Sequence, residues 1–219
     1  AEHGAQMEFY RKQLGEIVSG TVQAANAQGL TIGLELKAEG IMPRKEMIMH
    51  EHFRIHERVR ALVAEVNESG RGPQIILSRT HRDFLRRLLE NEVPEIFHGV
   101  VELRSIAREP GQRAKIAVSA TQQGIDPVGA CVGPRGSRVE KVVSELRNET
   151  IDIIKWSPDP AEFVANALNP AHVVSVFSSD EEKICRVVVP DMQLSLAIGK
   201  EGQNARLAAK LTGWKIDIK

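Results

Sequence analysis

The chain has 219 residues, of which 42% are hydrophobic and 26% are charged, and its 29 Lys and Arg residues are balanced by 29 Asp and Glu residues. This length accommodates two or three small domains with separate cores. A net charge of zero argues against a large, indiscriminate surface for polyanions, although charge can still be concentrated locally. No apolar run approaches the roughly 20 residues that a membrane span requires. We therefore expect a cytoplasmic, multidomain protein without a membrane partner.

The N-terminal residues lack the apolar core of a secretory signal and do not begin with Met, which suggests a piece of a longer protein. Cys131 and Cys185 form no metal-ligand pattern. A disulfide between them is conceivable, but reduced thiols packed in cytoplasmic cores are favoured. Other potential ligands lie in one stretch, namely Glu46, His50, Glu51, His52 and His56. Their spacing matches no ligand signature, so no metal and no cofactor are expected.

The first third of the chain predicts a short helix at residues 1–14 and then a β domain at 15–79. Short segments of strand-like residues alternate there with Gly-rich turns. The predicted strands cover 16–22, 30–34, 40–43, 58–66 and 74–78. Five short strands in so few residues indicate a small closed barrel of the OB type, which leaves no free sheet edge.

Residues 80–97 predict a connecting helix that ends near Pro94. Phe84, Leu85, Leu88 and Leu89 fall on one face of it at helical spacing. Outside that face lies a basic cluster of Arg79, Arg82, Arg86 and Arg87. Such a cluster is more often a solvated face than a nucleic-acid contact, and both readings remain open.

The rest of the chain contains one pattern twice, in residues 98–156 and 157–219. Each copy reads as two strands, a helix, a glycine turn, a second helix and a third strand, and a further helix precedes the strands of the second copy. The first copy has strands at 100–107, 113–119 and 150–155 and helices at 126–132 and 137–147. The second has helices at 161–168, 191–198 and 203–212 and strands at 172–178, 183–189 and 214–218. The joint around Pro158 and Pro160 is short, so we expect the copies to pack into one rigid unit.

The two glycine turns carry the chemistry of the repeat. They read Gly133-Pro134-Arg135-Gly136 and Gly199-Lys200-Glu201-Gly202. Glycine permits close approach of a ligand, and the helix after each turn offers unpaired N–H groups that favour phosphate. Two such turns in matching contexts, each with a basic residue at its tip, favour a nucleic-acid backbone over a simple joint between helices. The spacings of mononucleotide and dinucleotide loops are absent, which argues against a nucleotide cofactor.

These elements resemble a known family. A helix–GXXG–helix unit with two strands before it and one after is similar to the type II KH fold. The stretches 125–136, 194–204 and 211–217 resemble signatures of the NusA family of bacterial transcription factors. An S1-like barrel followed by two KH domains is also that family's order. The resemblance implies an α+β multidomain fold, with a five-stranded OB-type (S1-like) barrel followed by two type II KH domains (α-β-β-α-α-β).

The resemblance further implies a function without catalysis. Family members bind nascent single-stranded RNA at the exit channel of RNA polymerase and modulate pausing, termination and antitermination. RNA polymerase is contacted mainly through an N-terminal domain absent here, and other antitermination and elongation factors are partners. We expect a monomer.

Carried over by position, RNA-binding residues fall in and around both turns. The backbone would be held by Gly133, Pro134, Arg135 and Gly136 in the first domain and by Gly199, Lys200, Glu201 and Gly202 in the second. Val132 and Ile198 would form an apolar floor under the bases. Side chains that could reach phosphates or base edges are Arg138, Gln203, Asn204 and Arg206. Glu201 departs from the basic pattern, and the barrel segments 20–26 and 30–36 lack the aromatic residues on which bases stack, so we expect the barrel to bind RNA weakly.

Two other functions remain open. The chain could feed RNA to a nuclease or phosphorolytic enzyme, although its sequence shows no metal-binding carboxylate cluster. It could instead be a protein-docking scaffold with vestigial turns, a reading that the neutral charge and Glu201 support.

Overall fold

The computed structural model describes residues 2–69 and 72–219. The chain divides into two compact units, residues 1–88 and 89–219. In the described residues no helix has the length and apolar character needed to cross a membrane.

The first unit is a closed five-stranded barrel with one preceding helix. That helix, α1, covers Glu2–Lys12. The strands are β1 (Ile17–Asn26), β2 (Gly29–Gly33), β3 (Glu39–Pro43), β4 (Arg58–Ser69) and β5 (Gly72–Ser78). They close in the order β1-β2-β3-β5-β4, with β3 and β5 parallel and the other paired strands antiparallel. Alternate strand residues such as Val22, Ile32 and Ile75 fill the interior and are fully buried, as the period-two pattern requires. The predicted barrel is confirmed.

Two arginines of the basic cluster, Arg79 and Arg87, are bound within the barrel unit, whereas Arg82 is exposed. Arg79 is 1% exposed, and its Nε and Nη2 donate to the two carboxylate oxygens of Glu51 at 2.7 and 2.6 Å. Its Nη1 donates to the carbonyl oxygen of Arg60 at 2.8 Å. Arg87 donates to the carbonyl oxygen of Gly15 at 2.8 Å. These arginines therefore fasten segments of the barrel unit, and the alternative of a nucleic-acid surface is wrong for Arg79.

The connecting segment is two helices, where the sequence predicted one over 80–97. Helix α2 covers Arg82–Glu92, and α3 covers Pro94–Phe97. Val93 between them has extended backbone angles, because a residue before proline is disfavoured in a helix. Pro94 therefore starts a helix and does not end one. The predicted apolar face of α2 is buried. Its residues Phe84, Leu85, Leu88 and Leu89 are each at most 3% exposed.

The second unit contains both copies of the repeat. The first copy has β6 (Val101–Glu109), β7 (Arg113–Ala120), α4 (Pro127–Val132), α5 (Ser137–Glu145) and β8 (Thr150–Lys155). The second has α6 (Pro160–Ala167), β9 (Ser175–Ser179), β10 (Ile184–Val188), α7 (Leu194–Ile198), α8 (Gln203–Thr212) and β11 (Lys215–Ile218). The sheets are ordered β6-β7-β8 and β9-β10-β11, and in each the last strand pairs parallel to the central one. This is the predicted type II KH topology.

The two KH domains share one hydrophobic core. Ala117 and Ile154 from the first sheet are buried in one cluster with Phe163, Leu207 and Leu211 of the second domain. Because burial of apolar area is the main stabilising term, this cluster joins the copies more firmly than a linker could. The prediction that the copies pack together is confirmed. Both cysteines are free and buried, and burial raises the pKa of the Cys131 thiol to about 12.

Candidate nucleic-acid interface

The two glycine turns have nearly the same backbone. Their first glycines, Gly133 and Gly199, lie at φ 77°, ψ 171° and at φ 82°, ψ 168°, a region that essentially only glycine occupies. Their third residues, Arg135 and Glu201, are left-handed at φ 56°, ψ 28° and φ 56°, ψ 27°. Side chains are uncommon in that region and cost about 1–2 kcal/mol there. The chain therefore contains two turns with the same strained backbone conformation.

The last glycine of each turn starts the helix that follows. Gly136 and Gly202 are left-handed at φ 76°, and neither helix start has a side-chain cap. The helices α5 and α8 therefore begin with N–H groups that no capping side chain satisfies. Such a helix end carries partial positive charge and favours an anion such as a backbone phosphate.

The charges at the two tips occupy different positions. Pro134 and Arg135 are exposed in the first turn, and Lys200 and Glu201 are exposed in the second. Arg135 is therefore the structural equivalent of Glu201, while Lys200 is the equivalent of Pro134. Both turns carry a basic side chain as predicted, but only the first is free of an acidic one.

The apolar surface beside the turns is larger in the second domain. Val132 at the end of α4 is half-buried. Ile198, its equivalent on α7, is 38% exposed, with Leu194 at 37% and Leu196 at 43%. The second domain therefore exposes more aliphatic surface beside its turn than the first domain does. The charge on its turn is less favourable for an anion, because of Glu201.

Asn204 lies beneath the second turn and not on its surface. Its side chain is 1% exposed, and its Nδ2 donates to the carbonyl oxygens of Leu168 and Ala197 at 3.0 Å each. The expectation of a surface contact with RNA is therefore not met by this side chain. Amphipathic spacing alone does not distinguish a buried amide from an exposed one.

Arg138, the equivalent residue of the first domain, is held by its own protein. Its Nη1 donates to the carbonyl oxygen of Ala130 at 2.7 Å and to both carboxylate oxygens of Glu95 at 2.9 and 3.2 Å. The side chain is 29% exposed. Arg138 thus reaches backwards to the helix before the turn and to α3.

Gln203 and Arg206 at the start of α8 contact the β6–β7 hairpin of the first domain. Arg206 donates from Nε and Nη2 to the Glu109 carboxylate at 2.7 and 2.9 Å, and from Nη1 to the carbonyl oxygen of Glu201 at 2.9 Å. Gln203 donates to Gln112 at 2.8 Å. Hydrogen bonding from Arg206 lowers the pKa of Glu109 below its ordinary value. Glu109 and Gln112 carried no signal in the sequence, because their partners lie about ninety residues away.

In the described parts of the chain, no three His, Cys, Asp or Glu side chains are grouped so that they could hold a metal ion. The geometry instead assembles two turns, two uncapped helix starts and adjoining aliphatic surface. This arrangement can hold an extended polyanion that carries flat apolar groups.

Comparison with known families divides the chain into three domains. Residues 11–79 match the S1 RNA binding domain, residues 79–156 the NusA-like first KH domain, and residues 160–219 the NusA-like second KH domain.

Three similar proteins are each named "Transcription termination/antitermination protein NusA". The one from Halalkalibacterium halodurans is 52% identical over 100% of this chain and 57% of its own length. The one from Bacillus subtilis is 51% identical over 100% of this chain and 59% of its own. The one from Mycobacterium bovis is 54% identical over 97% of this chain and 63% of its own. The chain therefore spans about three fifths of these relatives, and it belongs to the NusA family, of which it carries the S1 domain and both KH domains.

Proposed function

We propose that this chain binds single-stranded RNA through its two GXXG turns, as the RNA-binding part of a transcription termination and antitermination factor. The observation that carries the proposal is the nearly identical backbone of the two turns, each followed by an uncapped helix. The names of its relatives support the role in transcription.

Single-stranded RNA fits this surface better than a duplex does. The major groove of an RNA duplex is too deep and narrow for side chains to read, whereas unpaired bases can lie on aliphatic surface. A KH turn clamps about four nucleotides, so two turns joined by one core should cover about eight. We define the salt slope as the fall in the logarithm of RNA affinity for each unit rise in the logarithm of salt concentration. A few phosphate contacts predict a slope of roughly 0.7 for each phosphate.

The barrel contributes less to recognition in this proposal. Its strands β1 to β5 contain no Phe, Tyr or Trp, and stacking on an aromatic ring is worth about 1–3 kcal/mol per base. We therefore assign to the barrel at most a contribution of charge.

The wider role follows from the family. We propose that RNA polymerase and other elongation or antitermination factors are partners of the whole protein, that the chain acts without catalysis, and that it works as a monomer in the cytoplasm. The name that the relatives share supports the role in transcription.

The test is fluorescence anisotropy with a short unstructured RNA, with the matching duplex as a second ligand. The variant that combines Pro134→Asp and Arg135→Asp places carboxylates at the exposed tip of the first turn. We expect binding of the single strand only, and loss of most of that binding in the variant.

A matched neutral variant, Pro134→Ser with Arg135→Asn, separates repulsion by new charge from loss of the arginine. The corresponding change in the second turn, Lys200→Asp with Glu201→Asp, tests whether both turns take part. Equal affinity for duplex and single strand, or unchanged binding in both aspartate variants, would refute the proposal and favour a protein-docking scaffold.

A further inference from the structure

We propose that Arg138 and Asn204 are positioning residues, which fix the shape of the two turns from beneath and do not hold RNA themselves. The inference rests on the proposed function, because it concerns how the RNA-binding turns are built. It assigns these two residues a different role from that of the other residues around the turns.

The two residues occupy the same place in the repeat. Each is the second residue of the helix after the turn, in α5 and in α8 respectively. One is a charged arginine and the other a neutral amide, so an attraction of positive charge to phosphate does not explain their shared position. Both side chains do carry N–H groups that can donate hydrogen bonds.

Both side chains donate to the helix that precedes the turn. Asn204 reaches the carbonyl oxygen of Ala197 in α7, and Arg138 reaches that of Ala130 in α4. The last carbonyl groups of a helix have no partner within the helix. In both domains, therefore, one donor satisfies an end of the first helix and thereby ties the two helices together across the turn.

Both residues also pack directly against the first glycine. A Cβ on Gly199 would lie 2.6 Å from the backbone nitrogen of Asn204 and 2.8 Å from its Cβ. A Cβ on Gly133 would lie 2.6 Å from Cγ of Arg138. The glycine is thus in close contact with the residue that fixes the preceding helix.

The strain in the turns explains why such a residue is needed. Unfavourable backbone angles persist only where the surroundings determine them more than once. Hydrogen bonding to the first helix and packing on the first glycine are two such restraints from one residue. Loss of the hydrogen bonds alone, with the packing kept, should let the turn relax and misdirect the N–H groups that face the phosphate.

The first experiment compares Asn204→Ala with the unchanged chain. We expect the amide resonances of Gly199 and Gly202 to shift in the RNA-free protein, with those of Gly133 and Gly136 unmoved. The affinity for a single-stranded RNA should fall about tenfold, because binding must then restore the relaxed turn to its shape at a cost comparable to one lost hydrogen bond. Its salt slope should stay the same, because no phosphate contact is removed.

A matched control is Thr212→Ala, because Thr212 donates to the carbonyl oxygen of Ala208 at 2.9 Å in the same helix but at the end away from the turn. It should leave the resonances of Gly199 and Gly202 and the affinity unchanged. An equal loss of affinity in this control would overturn the inference, since it would show a general effect of weakening α8.

The second experiment uses Arg138→Gln together with Glu95→Gln, which keeps a donor near Ala130 and leaves the net charge unchanged. A positioning residue predicts affinity within about threefold and an unchanged salt slope. A direct phosphate contact predicts a slope lower by about 0.7 and a larger loss. Arg138 and Glu95 are partly exposed, so their replacement should be tolerated by the fold. The double variant therefore tests the inference even if Asn204→Ala does not fold.

The two proposals fail in distinguishable ways. If the unchanged chain ignores RNA, the proposed function fails, while the glycine resonances of the RNA-free variants still test the positioning role. If the chain binds RNA but Asn204→Ala moves neither the resonances nor the affinity, the positioning role alone is refuted.

Discussion

At the scale of single residues, the two turns differ most at their third position. Arg135 and Glu201 share φ 56° and are both exposed, so the same backbone presents opposite charges. Repulsion between Glu201 and a phosphate should weaken the second turn. The exposed Leu194, Leu196 and Ile198 nearby offer apolar contact in its place.

Replacing Glu201 with lysine should therefore strengthen RNA binding. Glu201→Lys removes one negative charge and adds a positive one without changing the type of backbone strain. We expect a several-fold gain in affinity and a salt slope higher by about 0.7 if the new lysine meets one phosphate. Anisotropy titrations at several salt concentrations measure both. Glu201→Gln is the control for removal of the negative charge alone, and a loss of affinity in both variants would show that the carboxylate instead recognises a base.

Several side chains show what sequence reasoning reaches at this scale and what it does not. The glycine turns could be predicted because their residues are adjacent in the chain. The burial of Asn204 could not, because its partner Leu168 lies 36 residues away, directly after α6. The charge of Arg79 suggested a surface, yet its partner Glu51 lies in the distant loop before β4. Long-range partners decide such cases, and one sequence does not show them.

At the scale of elements, the two glycines of a turn are required for different structural reasons. Gly199 needs both its backbone angles and the absence of a side chain, since Asn204 lies directly against it. Gly202 needs only its angles, because a Cβ there would meet nothing closer than Nη1 of Arg206 at 3.8 Å. In the first domain a Cβ on Gly133 would lie 2.6 Å from Cγ and 2.9 Å from Cβ of Arg138, the part of that side chain next to the backbone.

These differences predict an order of destabilisation by alanine. Gly202→Ala should cost about 1–2 kcal/mol for the left-handed angle alone. Gly199→Ala adds a clash with backbone, so it should cost about 3 kcal/mol or more. Gly133→Ala should also cost more than Gly202→Ala, because its Cβ would meet the Cβ and Cγ of Arg138 at 2.9 and 2.6 Å. Denaturant titrations give the free energies of unfolding, and equal values for Gly199→Ala and Gly202→Ala would contradict the close packing.

Elements themselves followed largely from local pattern. The barrel strands and the strands of both sheets were predicted from alternation and turn residues, and their observed bounds differ mainly at the ends. The connecting segment was the exception, since Pro94 starts α3 and the sequence reading took it as an end. A proline restricts the residue before it whether it follows one helix or starts the next. The surrounding structure therefore decides which of the two occurs.

At the scale of the whole molecule, polar links supplement the core shared by the two KH domains. Lys115 in β7 is fully buried, and its Nζ donates to Asp152 at 2.9 Å and to the carbonyl oxygen of Asn169 in the second domain at 2.7 Å. Arg206 and Glu109 form a second link, which also contacts the second turn through the Glu201 carbonyl group. The relative placement of the turns therefore depends on side chains of both domains.

Removal of the buried lysine should weaken this unit. Lys115→Met leaves Asp152 with Arg113 only and deprives the Asn169 carbonyl group of its donor, which should cost about 3 kcal/mol. Lys155→Met, at an exposed position on β8, is the control and should change stability by less than about 0.5 kcal/mol. Denaturant unfolding measures both variants, and similar values for the two would show that the buried link adds nothing.

The link between Glu109 and Arg206 predicts how stability depends on pH. Hydrogen bonding from Arg206 lowers the folded-state pKa of Glu109 below its ordinary 4.5. A lowered carboxyl pKa stabilises the folded state at every pH above that ordinary value, and the contribution is lost as the pH falls through the folded-state pKa. The link should therefore be intact at neutral pH and weaken only in acid.

Glu109→Gln tests this link, because the amide has the shape of the carboxylate but no charge to lose. We expect the variant to be less stable than the unchanged chain at pH 7 and the difference between them to shrink below pH about 4.5. Glu102→Gln is the control, since Glu102 faces Arg104 of its own strand at 3.5 Å and takes no part in the link. A difference that stays constant from neutral to acid pH would mean that Glu109 acts through its shape alone. In that case the second turn would be held against the first domain by the shared core, and the charge of Arg206 would remain available to RNA.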